Sequence, residues 1–285
     1  MMTSYPSFSV LRSIAIVFKA IVLLAFTQGC TTNLKPVQDF ANLSAESAQY
    51  TTLVDEYLDF PQRQKRYQPP DRHANLDAMA QDRANQQTAL LLRQSLIETY
   101  MKSLGRLAAD EVVDNTEELA QLSTTLESQT PTSPQEAEAF KKIAGIVTTV
   151  AVKRWRQDQL QNLIEQANAP IQQVLESLHR IVSDGFGGDL QTEEAAIQNY
   201  YMTIIMESQD PAGKAALAEW KDLRMSQVHK RSEAVQIYGT VLDRISEGHQ
   251  RLFDQRQNLT KKEVLHQVKN SVKDLRALLQ TFKKL

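Results

Sequence analysis

The chain of 285 residues carries 32 Lys and Arg against 34 Asp and Glu, a formal charge of −2, and 42% of its residues are hydrophobic. That length suits one large domain or two small ones, and the charge balance excludes the basic footprint of a nucleic-acid binder. A single cysteine excludes an internal disulfide, so packing alone has to stabilise the body.

Met1 to Lys19 holds Arg12 and Lys19 and no acidic residue, and Ala20 to Phe26 is uncharged. A positive segment followed by a short apolar one reads as a secretory signal, and the run falls well short of the ~20 apolar residues that span a bilayer. It ends in Phe26-Thr27-Gln28-Gly29-Cys30, with the lone cysteine last. This segment resembles a bacterial lipobox, with Thr27 where Leu is usual. The resemblance to lipoproteins implies that residues 1–29 are removed as a signal peptide and that Cys30 becomes the lipid-bearing first residue. Thr31, in place of the Asp that retains such proteins at the inner membrane, implies the outer membrane, with the body facing the periplasm. Several acyl chains, at ~0.8 kcal/mol per buried CH₂, make a stable anchor where a single chain is marginal. Residues 30–36 then form a lipidated tether of about 20 Å at full extension. The body, residues 37–285, stands at the membrane surface.

Val37, Phe40, Ala41, Leu53, Val54, Tyr57 and Leu58 have helix-like spacing and predict a helix over 37–58. Residues 60–71 carry three prolines with Arg63, Lys65 and Arg66, and Pro69-Pro70 bars a helix interior, so they read as a linker. Its cations suit a solvated connection better than a contact strip for anionic lipid, being few. A long helix is predicted over Asp71 to Asp110, with Leu76, Leu90, Ile97 and Leu104 at sevenfold spacing beside Met101 and Ala108. Arg83, Gln87 and Gln94 interrupt its seam. Asp114 caps a short helix to about Glu127, and 129–134 is an internal break.

Ser133-Pro134 with Glu136 starts a helix to about Asn168, which Pro170 kinks or ends. Its uncharged run Ile143 to Val152 suits a buried helix better than a membrane-inserting element around Val147. Ile171, Val174, Leu175, Leu178, Ile181 and Val182 form the next face. Gly185-Phe186-Gly187-Gly188 predicts a sharp reversal. The helix opened by Asp189 has the face Ile197, Tyr200, Tyr201, Ile204 and Ile205. Asp210-Pro211 opens a long helix to about Gln257, with Val228, Val235, Tyr238, Leu242, Ile245 and Leu252 on its seam among Arg224, Arg231 and His249. Thr260 with Glu263 caps a last helix, whose face is Val264, Val268, Val272, Leu275, Leu279 and Phe282. With no strand alternation or hairpin signal, the predicted fold is all-α, an elongated multi-helix bundle with long helices, coiled-coil-like seams and no sheet. Tyr100-x-x-x-Leu104-x-Arg106 recurs as Tyr238-x-x-x-Leu242-x-Arg244, a trace of a duplicated unit or of a helical composition rich in Leu and Ala.

Two Glu-x-x-His steps, Glu176 to His179 and Glu263 to His266, with Glu98 and Glu207, match the order of ligands in di-iron bundles. At ~100° per residue, Glu176 lies about 160° and His179 about 100° from the apolar face of their helix, and Glu263 and His266 lie about 130° to 170° from theirs. Bundle metals need inward ligands, so these residues are not assigned as metal ligands. His249 shares a seam, where a lone His suits hydrogen-bonded structure. The chain lacks zinc-protease, nucleophile-elbow and phosphate-loop motifs, and no catalytic or cofactor-binding residue is assigned. Cys30 is the one functional residue named. Leu107 to Phe140 holds eight acidic residues and no Lys or Arg, and Lys261 to Leu285 holds seven basic ones, two faces that dock on each other, dock on a partner or stay solvated. The expected function is a lipid-anchored, non-enzymatic binding or structural component of the envelope, with an envelope protein as partner and no nucleic acid. The alternatives are a metal-dependent, di-iron-like enzyme and a membrane-perturbing or pore-forming helical protein.

Overall fold

The computed structural model describes residues 34–111, 134–151 and 157–284. Cys30, the helix expected over 114–127 and most of the break at 129–134 lie outside these residues, as does most of the acidic segment. Leu34–Leu285 groups as one unit, apart from Met1–Asn33. Among the described residues every regular element is helical, as expected of an all-α bundle.

Helix α1, Lys35–Ala48, has Pro36 in its first turn and buries Val37, Phe40, Ala41, Ser44, Ala45 and Ala48, one continuous stripe at i, i+3, i+4 spacing. The helix expected over 37–58 breaks at Gln49-Tyr50, and α2 runs Thr51–Lys65. The break is chemically satisfied: the Tyr238 hydroxyl donates to Ala48 O at 3.1 Å and Gln94 Nε2 donates to Tyr50 O at 3.1 Å. Side chains from two other helices thus bind carbonyls at the interruption.

The linker expected over 60–71 is also corrected. Helix α2 continues through Pro61 to Lys65, and the prolines at 69 and 70 lead into a 3₁₀ turn, Pro70–Arg72, before α3, His73–Ala108. Pro61 has no N–H for the carbonyl of Tyr57, four residues back. Arg83 Nη1 donates to that oxygen at 2.7 Å, so a guanidinium supplies what the proline lacks. Two of the three cations in this stretch are held by carboxylates, Arg63 by Glu193 and Glu56 and Lys65 by Asp77. Helix α3 ends with Asp110 at φ 59°, Glu111 N donating to Arg106 O at 2.9 Å and Asp110 N to Leu107 O at 3.2 Å, the bond pair of a Schellman cap.

Helix α4, Pro134–Ala151, buries Ile143 and Val147, while Thr148 and Thr149 are exposed. No described helix is long and apolar enough to cross a membrane. Helix α5, Gln157–Arg180, carries Pro170 inside it, then passes through a π-helical turn, Ile181–Phe186, into α6, Gly187–Glu207. The sharp reversal expected at Gly185-Phe186-Gly187-Gly188 does not occur. None of these glycines has a positive φ. Val182, Phe186 and Leu190 are buried across the junction, and Val235 of the neighbouring helix lies 3.8 Å from where a β-carbon on Gly187 would stand. Packing carries the helix over the glycines. A β-carbon on Gly185 or Gly188 would meet nothing within 4 Å. Gly185→Ala and Gly188→Ala are therefore each expected to raise stability by about 0.5–1 kcal/mol, read as a higher urea midpoint. A lower midpoint for either variant would contradict a helix running through this junction.

The reversal comes later, at Ser208-Gln209-Asp210. Asp210 caps α7, Pro211–Asp254, by accepting from Gly213 N at 2.7 Å and Ala212 N at 3.3 Å. The 44 residues of α7 make it about 66 Å long. It lies against α5, the π turn and α6 in succession. After a 3₁₀ turn, Arg256–Asn258, helix α8, Lys262–Phe282, buries the expected face from Val264 to Phe282. Lys261, in extended conformation, stands at the cap position expected for Thr260, and its side chain makes no capping hydrogen bond. Helix α8 packs on α1 and α7, and Lys283 pairs with Glu46 at 2.8 Å, so this cation docks within the molecule.

Candidate functional site

The end of the α6–α7 hairpin is the one long stretch of described chain with no buried side chain, from Met202 to Gln227. It nevertheless carries large apolar groups: Met202 is exposed, as is Tyr200 just before the stretch, and Met206, Trp220 and Leu223 are 68%, 57% and 53% exposed. Glu194 meets His229 across the hairpin at 3.1 Å, and carrying that register outward sets Tyr200 level with the Trp220–Leu223 turn. The α7 seam explains why this end is bare. Going back from Val228 in sevens, its row reads Lys221 and Lys214, so the fully buried row ends at Val228 and only partly buried groups such as Met225 and Leu217 continue it. Tyr200 was expected on the buried face with Ile197 and Tyr201. It lies outside, meeting Tyr67, just past the end of α2, at 5.7 Å and Tyr201 at 5.4 Å, both edge-to-face.

The root of the hairpin is held by charge. Arg63 of α2 bonds Glu193 of α6 at 3.0 Å and Glu56 at 2.9 Å, and Arg231 of α7 bonds the same Glu56 at 2.8 Å and approaches Glu193 at 3.8 Å. One turn nearer the body, Arg83 of α3 pairs with Asp189 of α6 while its guanidinium lies over the rings of Tyr57 and Phe60, at 4.2 and 4.7 Å from their centroids. Burial raises the Asp189 carboxyl above its ordinary range, against the pull of Arg83. Removing one partner of such a shielded pair leaves a charge uncompensated, so these contacts fix the angle of the hairpin more than they add net stability.

Two further polar sets sit in the core. Arg93 is fully buried and donates to both oxygens of Glu136, at 2.7 and 2.8 Å, and to Ala89 O at 2.7 Å; Ser177 donates to Glu136 at 2.8 Å, joining α3, α4 and α5. His249, also fully buried, meets the Tyr100 hydroxyl at Nε2, 2.6 Å, and Asn168 Oδ1 at Nδ1, 3.0 Å. A neutral ring with its proton on Nδ1 fits both partners. Desolvation brings its pKa down to about 3 and pushes the Tyr100 phenol up. The seam residues Arg83, Gln94, Arg231 and His249, which interrupt the apolar rows in sequence, are thus the bonding groups that join helices. The repeated motif tyrosines, Tyr100 and Tyr238, are both buried but bond unlike partners, His249 and Ala48.

The residues of the di-iron pattern are dispersed. Glu98 pairs with Lys102, Glu176 with Arg180 at 3.4 Å, and His179 faces Asp243 at 3.5 Å. Glu207, Glu263 and His266 are exposed. Among the described residues no three of His, Cys, Asp and Glu stand together as metal ligands. Set beside protein-family models, curated proteins and solved structures, the chain matches none.

Proposed function

We propose that this chain is a lipoprotein of the bacterial outer membrane, anchored through Cys30 and facing the periplasm, which works by holding a second envelope protein on the end of its α6–α7 hairpin and has no chemistry of its own. The observation that carries the reading is the exposed set Tyr200, Met202, Met206, Trp220 and Leu223 at a hairpin end where Ile204, Ile205, Leu217 and Met225 are only partly buried. Aromatic residues and Met are enriched at protein interfaces, and an apolar patch left open on a monomer marks a contact site. Mixed charge at this end, with Glu207, Asp210, Glu219 and Asp222 beside Lys214, Lys221 and Arg224, favours a protein over an anionic bilayer, which selects for basic faces. The lipobox resemblance supports the anchor.

A photo-reactive residue at position 220, activated in intact cells, tests both halves. One discrete adduct is expected, lost in Met206→Glu and Leu223→Glu, and Cys30→Ser is expected to move the protein from the membrane fraction to the soluble one. Adducts only with itself, or none, would refute the binding role. Unchanged membrane association of Cys30→Ser would refute the anchor.

A further inference from the structure

Beside the hairpin root, between the second half of α2, the start of α3 and the first turns of α6, lies an open cleft of about 290 Å³. That volume lies just under the roughly 300–1,000 Å³ typical of small-ligand pockets. Its apolar wall is Phe60, Leu76 and Met79, and Phe60 is locked in place beneath the Arg83 guanidinium. Its polar groups are incompletely used. Asp189 gives Oδ2 to Arg83 and makes no hydrogen bond through Oδ1 among the described residues. Gln64 is 3% exposed, yet its carboxamide makes no hydrogen bond among the described residues and its Oε1 is buried without a partner. The carboxamide carries both an acceptor and a donor, so Gln64 can answer either kind of ligand atom. On the α3 side, the Arg72 guanidinium and the Asn75 amide are exposed and make no side-chain bond among the described residues.

We propose that this cleft is a binding site for a small zwitterion with an apolar side chain, a free amino acid or a dipeptide of leucine-like residues. The ammonium group bonds the free oxygen of Asp189, the carboxylate meets Arg72, and the side chain lies on Phe60, Leu76 and Met79. The chemistry discriminates among ligands. A phosphate or other plain anion would confront the Asp189 carboxylate. A purely apolar molecule would cover Asp189 and Gln64 without bonding them, at the desolvation cost of each group. A zwitterion places one charge opposite each of the two that the cleft presents, and charge-assisted bonds of this kind are the strong ones. The burial that raises the Asp189 carboxyl also means that an incoming ammonium gains more there than it would in water.

The test is calorimetric titration of the full chain in detergent with leucyl-leucine, its N-acetyl form and its C-terminal amide. Saturable binding of the free dipeptide is expected, with N-acetylation weakening it by about tenfold or more, the loss of one charge-assisted bond. Met79→Trp, which fills the apolar wall, is expected to abolish binding. Arg72→Ala is expected to weaken the free dipeptide by about tenfold and to erase its advantage over the amide. Both positions are exposed, so a far-ultraviolet spectrum and melting curve like the parent's will separate loss of the site from loss of the fold. No heat at millimolar dipeptide, or binding indifferent to N-acetylation, Met79→Trp and Arg72→Ala together, would overturn the proposal. The cleft is independent of the hairpin contact: Met79→Trp leaves the position-220 adduct in place.

Discussion

Lowering the pH from 7 to 5 is expected to remove about 2 kcal/mol of stability through His249 alone. The ring is buried with its pKa down near 3, against an ordinary 6.5. Below the unfolded value the unfolded chain takes up a proton that the native state refuses. The stabilisation from a neutral His249 is therefore complete above about pH 6.5 and is lost progressively as pH falls toward 3, at roughly 1.4 kcal/mol per unit. Tyr100, the titratable group facing Nε2, is pushed further from this range, and Asn168, facing Nδ1, does not titrate. Urea midpoints at pH 7 and 5 for the parent and His249→Gln are the check. The variant is expected to be weaker at pH 7 and to lose about 2 kcal/mol less on acidification, because carboxylate contributions are common to both and cancel. Equal losses would place the histidine in contact with water.

Gly248→Ala is expected to cost about 3 kcal/mol, the upper range for inserting a methyl group into a packed core. Gly248 lies inside α7 where it crosses α1, and a β-carbon there would run into the ring edge of Phe40, a side chain with no exposed surface. Because Ala is about 1 kcal/mol better than Gly in an open helix, the steric cost has to exceed the net loss by that amount. For a body of this size, 3 kcal/mol corresponds to a fall in Tm of about 6–12 °C. Combining Gly248→Ala with Phe40→Leu is expected to cost less than the two single losses added, since the smaller side chain vacates the contested space. Strict additivity would mean that the two helices separate without consequence elsewhere. The contrast with Gly185 and Gly188, where the same substitution is expected to stabilise, shows that a glycine's role is set by what lies opposite it.

Much of the core was legible because burial follows the helical repeat. The rows Leu76 to Leu104, Ile171 to Leu178, Val228 to Leu252 and Val264 to Phe282 are buried as the spacing predicts. Where local signals failed, a distant side chain had intervened. Pro61 reads as a helix breaker until Arg83, 22 positions on, is seen bonding Tyr57 O. The interruption at Gln49-Tyr50 has no Pro or Gly to announce it; it exists because Gln94 and Tyr238 bond the carbonyls there. The cleft was missed for the same reason, since reading residues 60–71 as a solvated linker placed Gln64 in water. The hairpin end did leave a trace: the α7 seam turns to Lys221 and Lys214, while Trp220 and Leu223 sit off that row.

The amino-acid sequence by itself determined that the described body is helical and which stripe of most helices is buried, because a 3.6-residue repeat of apolar groups has one low-energy way to leave water. It also carries the lipobox resemblance at Cys30, from which the proposed membrane address follows. Only the tertiary structure decided where the helices break, that α5 passes through its glycines into α6, and that Arg83, Gln94, Arg231 and His249 are structural bonds. The physical reason is range. Apolar periodicity is a property of neighbours in the chain, whereas a freed carbonyl or a shielded charge is settled by whichever polar group the fold brings to it.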